Sequence, residues 1–297
     1  MKSPNSLTPE HILFDRASVR LHRDRAARID WPTYSFLFEE VANRLAERLL
    51  DITSPFETAL DLGCRGGEFS KKLVEMKRVK QLVKADLSYA MVAETKLNAV
   101  VADEEFLPFK ARSFDLVGSV LGLHWTNDLP GALAQIAKIL RPNGLFLGAL
   151  FGVGSLQELK GCLSEAESEI KGGVSPRISP FTEVRDAGAL LQRAGFALPV
   201  TDMDMITLKY PDPFSLMREL RGLGESNALV SRQKTFTGRK ILIRAAELYT
   251  QQFADEDGRI PASFQIIYMA GWSPHDSQQK PMARGSGRHN LKDILGS

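Results

Sequence analysis

Cysteine is nearly absent: the 297 residues hold two, Cys64 and Cys162. With no Cys-x-x-Cys pair, a disulfide framework or a structural zinc site is excluded as the organising device, and a reducing compartment fits. Charge of one sign is also missing. Lys and Arg number 38 against 36 Asp and Glu, a formal balance of +2, which gives no ground for a nucleic-acid partner. No apolar run approaches the roughly 20 residues a membrane-spanning helix needs. Met1 to Glu10 carry neither an apolar core nor a cleavage signal, so a soluble chain without a membrane span is expected. No repeat is visible. Basic residues cluster at Arg16–Arg28 and Arg284–Lys292. The plain reading is solvated surface, and the sharper one is a contact patch for an anion or an acidic partner.

What the sequence does have is alternation of strand-like and helix-like apolar period. With 43% hydrophobic and 25% charged residues it can bury a sizeable core. Asp30-Trp31-Pro32 reads as a helix start, and Leu37, Val41 and Leu45 extend one amphipathic helix over 32–50. Strands are then predicted at 58–62, 81–85, 99–102, 114–121 and 145–151. Helices fall between them at 68–75, from the Ser88 cap to about 97, and at 130–140. Arg141-Pro142-Asn143-Gly144 reads as a turn. Continuous apolar strands in this order predict a parallel sheet covered on both faces. Ser155-x-x-Glu158 has the spacing of a capping box opening a helix to about 170. A loop at 172–181, helices at 182–194, 213–223 and 239–253, and strands at 196–210 and 264–272 complete the pattern. The tail from Ser273 is polar and reads as mobile.

The first strand ends in Asp61-Leu62-Gly63-Cys64-Arg65-Gly66-Gly67. Glycines there let backbone pass close to a ligand, and the next helix offers free N–H groups. The loop lacks the spacing of G-x-G-x-x-G and the lysine of a P-loop. It resembles the Asp-x-Gly-x-Gly-x-Gly loop of class I S-adenosylmethionine methyltransferases, except that Arg65 stands at the middle glycine and Gly66 one place later. Three outcomes stand open for Arg65. It binds the ligand's carboxylate, it points away while Gly66 takes over the close approach, or it excludes the cofactor.

Asp86 ends the second strand, where a carboxylate can accept the ribose hydroxyls. Asp103 follows the third, and the resemblance gives it, with Glu104, the adenine amino group. Acids after successive strands make one ligand edge, and the predicted cofactor set is Asp61, Gly63, Arg65, Gly66, Gly67, Asp86, Asp103 and Glu104. The alternatives for Asp86 and Asp103 are a helix N-terminal charge and a solvated turn acid. His124 and Asn127, beyond the fourth strand, are the candidate catalytic residues. A buried, hydrogen-bonded histidine beside a core Trp125 is the plainer reading.

Further segments carry a closer resemblance. They are 102–110, Ser113-Phe114-Asp115-Leu116-Val117, Leu123-His124-Trp125 with Asn127-Asp128-Leu129-Pro130, and 175–181. Gly222 with Gly224-Glu225-Ser226-Asn227, and 265–272 with Ser277-Gln278, extend them. Together they are similar to the family of NADH:ubiquinone oxidoreductase (complex I) assembly factor five and its bacterial relatives, over about Phe14 to Pro281. A more distant likeness is to the carrier-protein methyl ester-forming enzyme of biotin synthesis. The resemblance implies a class I methyltransferase (Rossmann-like) α/β fold: a seven-stranded, mostly parallel sheet with an antiparallel last strand and extra helices. It also implies S-adenosylmethionine and a role in complex I assembly, with hydroxylation of an arginine on the iron–sulfur subunit.

The implied organisation is an N-terminal arm and cap at 1–31, a methyltransferase-type domain at 32–272 with a helical insertion at 212–254, and a polar tail. Its expected setting is the cytoplasm in a bacterium or the matrix side of the inner membrane in a eukaryote. Methyl donation and hydroxylation conflict, because a sulfonium methyl donor is not an oxidant. His22-Arg23-Asp24 has the His-x-Asp spacing of an iron site. On a helix, however, positions i and i+2 point apart, and no metal site is predicted. Methyl transfer, arginine hydroxylation and a non-catalytic, ligand-gated chaperone of a protein client therefore all stand as readings.

Overall fold

A computed structural model describes residues 12–279 except 54, 96 and 97, so the basic run at Arg284–Lys292 and most of the tail lie outside the described residues. The apolar runs become strands β1 (Phe56–Leu62), β2 (Val79–Asp86), β3 (Ala99–Val101), β4 (Phe114–Val120), β5 (Leu140–Phe151), β6 (Ala197–Tyr210) and β7 (Ile260–Trp272). They form a seven-stranded sheet in the order β3-β2-β1-β4-β5-β7-β6. β1 to β5 pair in parallel, while β7 lies antiparallel between β5 and β6. This is the expected Rossmann-like sheet with its antiparallel last strand. β1 pairs with both β2 and β4, so the winding direction reverses there, and the crevice at the carboxyl ends of these strands is where such sheets take ligands.

The helices are α1 (Arg16–Ile29), α2 (Trp31–Tyr34), α3 (Phe36–Glu47), α4 (Glu68–Glu75), α5 (Tyr89–Glu94), α6 (Leu129–Ile139), α7 (Gln157–Lys171), α8 (Val184–Arg193), α9 (Pro213–Gly222) and α10 (Arg239–Phe253). Strand alternation sorts their partners. Leu116 and Leu147 join one core with α3, α4, α7 and α10. Their chain neighbours Val117 and Phe146 join the other, with α6 and α8. β1, β4 and β5, at the centre of the sheet, are thereby covered on both faces, which is why their inner halves read as apolar runs, while β2 and β3 toward the edge are more exposed.

Local chemistry overrode the sequence reading at several points. The single helix expected over 32–50 divides at Ser35, whose hydroxyl donates to the Pro32 carbonyl at 3.3 Å and to Glu39 at 2.6 Å. Residues 141–144 are not a free turn but a bulge within β5, where the register shifts between Phe114 and Leu116. Asn143 N–H donates to the Ser273 carbonyl, and Ser273 N–H to that of Gly144, so chain following β7 holds the bulge in place. The capping box also fails. Leu156, not Ser155, is the N-cap of α7 and makes no side-chain cap. The Ser155 hydroxyl bonds both backbone groups of Gln265, and Glu158 accepts from Ser263 at 2.5 Å. A strand with unpaired backbone beside the helix start competed for the same side chains and won.

Candidate functional site

The glycine loop folds as its sequence demands. Gly63 and Gly67 sit at φ +70 and +81, a region glycine enters without steric cost, and Arg65 is held there too at φ 48. The N–H groups of Gly63 and Cys64 both donate to the Ala85 carbonyl, tying the loop to the end of β2. Asp61 is turned into α4, accepting the Ser70 amide at 3.1 Å and its hydroxyl at 2.6 Å. Burial pushes its pKa up to about 7, with Ser70 opposing.

Asp86, Asp103 and Glu104 do converge at the carboxyl ends of β2 and β3, but guanidinium groups already hold them. Arg23 Nη1 lies 2.5 Å from Glu104 Oε1 and 3.3 Å from Asp86 Oδ1, and all three side chains are 0% exposed. Arg16 Nη2 donates to Asp103 Oδ1 at 2.5 Å and to Glu104 Oε2, and Arg16 Nη1 reaches the Trp125 carbonyl at 3.1 Å. Asp86 also accepts the amides of Ser88 at 2.8 Å and Arg65 at 3.2 Å. Burial alone would raise the Glu104 pKa, but Arg23 and Arg16 outweigh it and hold it at about 2. Burial likewise opposes the charge on Arg23, and Glu104 and Asp86 overcome it.

This corrects the reading of Arg16–Arg28 as solvated surface or as a patch for an outside partner. Two of its arginines are internal counter-ions. The sequence signal for this was the opposite charge of a basic helix and an acidic strand edge; their distance along the chain hid it. His22 and Asp24 part as helical spacing requires. Asp24 accepts from the Ser88 hydroxyl at 2.5 Å and the Ala90 amide at 3.3 Å, while His22 Nδ1 is buried without a partner. Among the described residues no group of three His, Cys, Asp or Glu is placed to hold a metal.

Arg65 points away from the acid edge. Its guanidinium is buried, donates to Glu225 Oε1 at 2.8 Å and sits 5.2 Å from the Phe38 ring centre. Gly66 does not take over a ligand approach. A Cβ there would collide with the Trp31 indole, whose Nε1 donates to Glu68 at 2.7 Å, so its freedom serves packing. Gly63 gives its space to Glu104, whose Oε1 lies 3.3 Å from where its Cβ would be.

Glu225, which the sequence reading quoted only within a family segment, is the centre of a second cluster. Besides Arg65 it faces His124 Nε2 at 3.1 Å and accepts from Trp125 Nε1 at 2.8 Å. Burial would raise its pKa, but His124, Arg65 and Arg23 outweigh it and the group is ionised. Burial depresses His124, against the pull of Glu225. Asn127 is committed elsewhere. It accepts the amides of Leu13 and Phe14 at 2.8 and 2.7 Å and donates to the Phe14 carbonyl, which fixes residues 13 and 14 ahead of α1 and commits its amide to structure. Beyond Trp125 and Glu225 opens a cavity of about 370 Å3 walled by Phe151, Phe181, Phe264 and Met217, with Arg177 and Asn227 among its polar groups. The arrangement is a mainly apolar pocket beside the ordered polar cluster of Glu225, His124 and Trp125.

Comparison with known proteins agrees with the fold. A family model described as "Methyltransferase domain" matches residues 60–148. The chain is 46% identical to the human protein named "Arginine-hydroxylase NDUFAF5, mitochondrial" over 292 residues, 96% of this chain and 84% of that one. It is 32% identical to the malonyl-[acyl-carrier protein] O-methyltransferase of Methylovorus over 282 residues, 90% of this chain and 92% of that one. Among solved structures, phosphoethanolamine N-methyltransferase 2 of Haemonchus contortus, in complex with S-adenosylhomocysteine, superposes with a TM-score of 0.50 at 15% identity. It covers 86% of this chain and 60% of that one, a likeness of fold.

Proposed function

The chain belongs to the family of the arginine-hydroxylase NDUFAF5 proteins, and from that membership we propose that it acts, as a methyltransferase-fold protein, on a protein client in the assembly of respiratory complex I. The carrying observation is the 46% identity to human NDUFAF5 across 96% of the chain. The relative's name places that protein in mitochondria; here the setting is the matrix side of the inner membrane in a eukaryote or the cytoplasm in a bacterium. Among the described residues no helix is long and apolar enough to cross a membrane.

The proposed ligand is S-adenosylmethionine. The donor set fits it: Asp86 for the ribose hydroxyls, Asp103 with Glu104 for the adenine amino group, and Gly67 for close backbone approach. The fit is chemical, since the room beside the acids is filled by Arg16 and Arg23. When bound, this group would supply an electrophilic methyl carried on a positively charged sulfur, which leaves as a neutral thioether. The chain's own residues position the acceptor. The aromatic walls of the cavity would enclose the acceptor, and Glu225 holds His124 and Trp125 in fixed orientation beside it.

The name of the human relative favours a second reading, hydroxylation of an arginine, and the resemblance read from the sequence implies that this arginine lies on the complex I iron–sulfur subunit. That reaction replaces C–H by C–OH and removes two electrons, so it requires an oxidant, which the sulfonium donor is not. Mass spectrometry of the purified subunit after incubation separates the readings. A gain of one methyl group in place of hydrogen supports methyl transfer. A gain of one oxygen atom on an arginine supports hydroxylation. An unmodified subunit in stable complex with this chain supports a chaperone.

A further inference from the structure

We infer that α1 is a self-occupying latch: Arg23 and Arg16 fill the acid edge in place of the nucleoside, and the cofactor enters only when α1 lifts away about Asp30. The inference rests on the cofactor reading above. Its first support is occupancy. The carboxylates suited to ribose and adenine spend their acceptor positions on α1 guanidiniums, and Arg23 also reaches the Gly122 carbonyl at 3.4 Å, across the crevice. A ligand and these side chains cannot use the same carboxylate oxygens at once.

Its second support is how weakly the rest of α1 is attached. The helix buries only Val19, Arg23 and Ala26. Its remaining seams are polar: Asp24 with Ser88 and Ala90, Arg25 with Ser226, and Asp15 and Ser18 with Arg232, while just ahead of the helix Leu13 and Phe14 are held by Asn127 and the Asp15 amide by the Ala228 carbonyl. Val19 packs in a small satellite with Phe14, Trp125, Ala228 and Leu229, and of the residues α1 buries only Ala26 joins a main core. The third support is a joint. Asp30 leaves the helix in an extended conformation, and the next residue, Trp31, is pinned over Gly66 and bonded to Glu68. Motion of α1 therefore ends at Asp30 and leaves α2 in place. A closed state that competes with ligand weakens apparent affinity by the fraction of molecules open.

The test uses the full chain with S-adenosylhomocysteine as probe, read by calorimetry. In the double variant Asp24→Cys with Ala90→Cys, oxidation ties α1 to α5 and reduction frees it; wild type under the same oxidant is the control. Binding is expected to weaken about tenfold or more in the oxidised form and to return on reduction. Arg23→Met is expected to bind about tenfold tighter than wild type. In unmodified protein, hydrogen exchange over residues 16–29 is expected to speed up when the probe is added. A disulfide-tied form that binds as tightly as the reduced one overturns the latch, as does weaker binding by Arg23→Met or slower exchange in α1. If no form binds the probe, the cofactor reading itself fails and the latch falls with it.

Discussion

α1 and α3 follow one another near the start of the chain, yet they are attached by opposite physics. α3 buries Leu37, Phe38, Val41, Ala42, Leu45 and Ala46 against the sheet. α1 lies across the carboxyl ends of the strands and buries an arginine between two small apolar residues. Apolar burial holds at any charge state and with any ligand. An ion pair holds only while its carboxylates have no better partner and are kept from water. The first kind of helix is framework, and the second is attached conditionally.

The sharpest test of that contrast is a pair of truncations. Leu45 is 0% exposed in the main core, and Leu45→Ala should cost about 3 kcal/mol in denaturant unfolding through lost burial and a cavity. Its affinity for S-adenosylhomocysteine should not change. Arg23→Met removes a buried counter-ion, a change that often costs about 3–5 kcal/mol. Here the loss should stop near 2 kcal/mol, because α1 can lift and let water reach Asp86 and Glu104. If Arg23→Met proves the costlier of the two, α1 is as integral as α3 and the contrast collapses.

The same contrast explains what could be read from the sequence. α3, the strands and the helices of both cores follow from apolar period, because the residues that bury them are the residues that pattern reports. The mostly parallel sheet followed from the order of strands and helices, and its antiparallel last strand from the family resemblance. α1 was invisible as an internal element, since charge clusters on a helix ordinarily face solvent. The acid edge was located correctly from its place after β2 and β3, but its occupants were not, because ion pairs between distant segments leave no local period. Ser155 and Glu158 failed for a related reason: local spacing suggested a cap, and β7, far away in sequence, supplied stronger partners. Arg65 had three open outcomes, and the structure meets only half of one: Glu225, beyond α9, turns the guanidinium away, but Gly66 packs against Trp31 and does not take over the close approach.

Gly66→Ala probes the junction between the two helices. The added methyl meets the Trp31 indole in a packed site, so overpacking should cost about 1.5 kcal/mol. The displaced ring loosens the pin below Asp30, and hydrogen exchange should rise in α1 while α3 stays protected. Equal loss of protection in both helices would show that Trp31 serves the whole N-terminal region and does not divide it.

The smallest effect comes from His22, on the conditional helix. Burial depresses its pKa to about 4, with Arg25 and Arg232 adding to the shift and Glu225 opposing it. An unfolded chain takes up the proton near 6.5, so folded and unfolded states differ between those values. The folded state binds fewer protons there, and stability must fall as pH falls. The contribution of neutral His22 is complete above pH 6.5 and is lost progressively toward 4. Glu104 works in a lower window. Its ordinary value is 4.5 and its folded value about 2, so its stabilisation is present above 4.5 and disappears as pH falls toward 2. Between pH 6.5 and 5 the His22 effect therefore stands clear of Glu104, while His124, also depressed by burial, contributes from the fixed cluster around Glu225. Replacing His22 by Gln removes only the part that belongs to α1. From pH 7 to 5 wild type should lose about 1 kcal/mol more than His22→Gln, a figure reduced from the full linkage value because the ring is only partly buried. Exchange over residues 16–29, corrected for intrinsic rate, should rise at pH 5 in wild type and stay flat in the variant. Parallel stability curves would mean that acid does not act through α1, and would leave the helix with carboxylate occupancy as its only control.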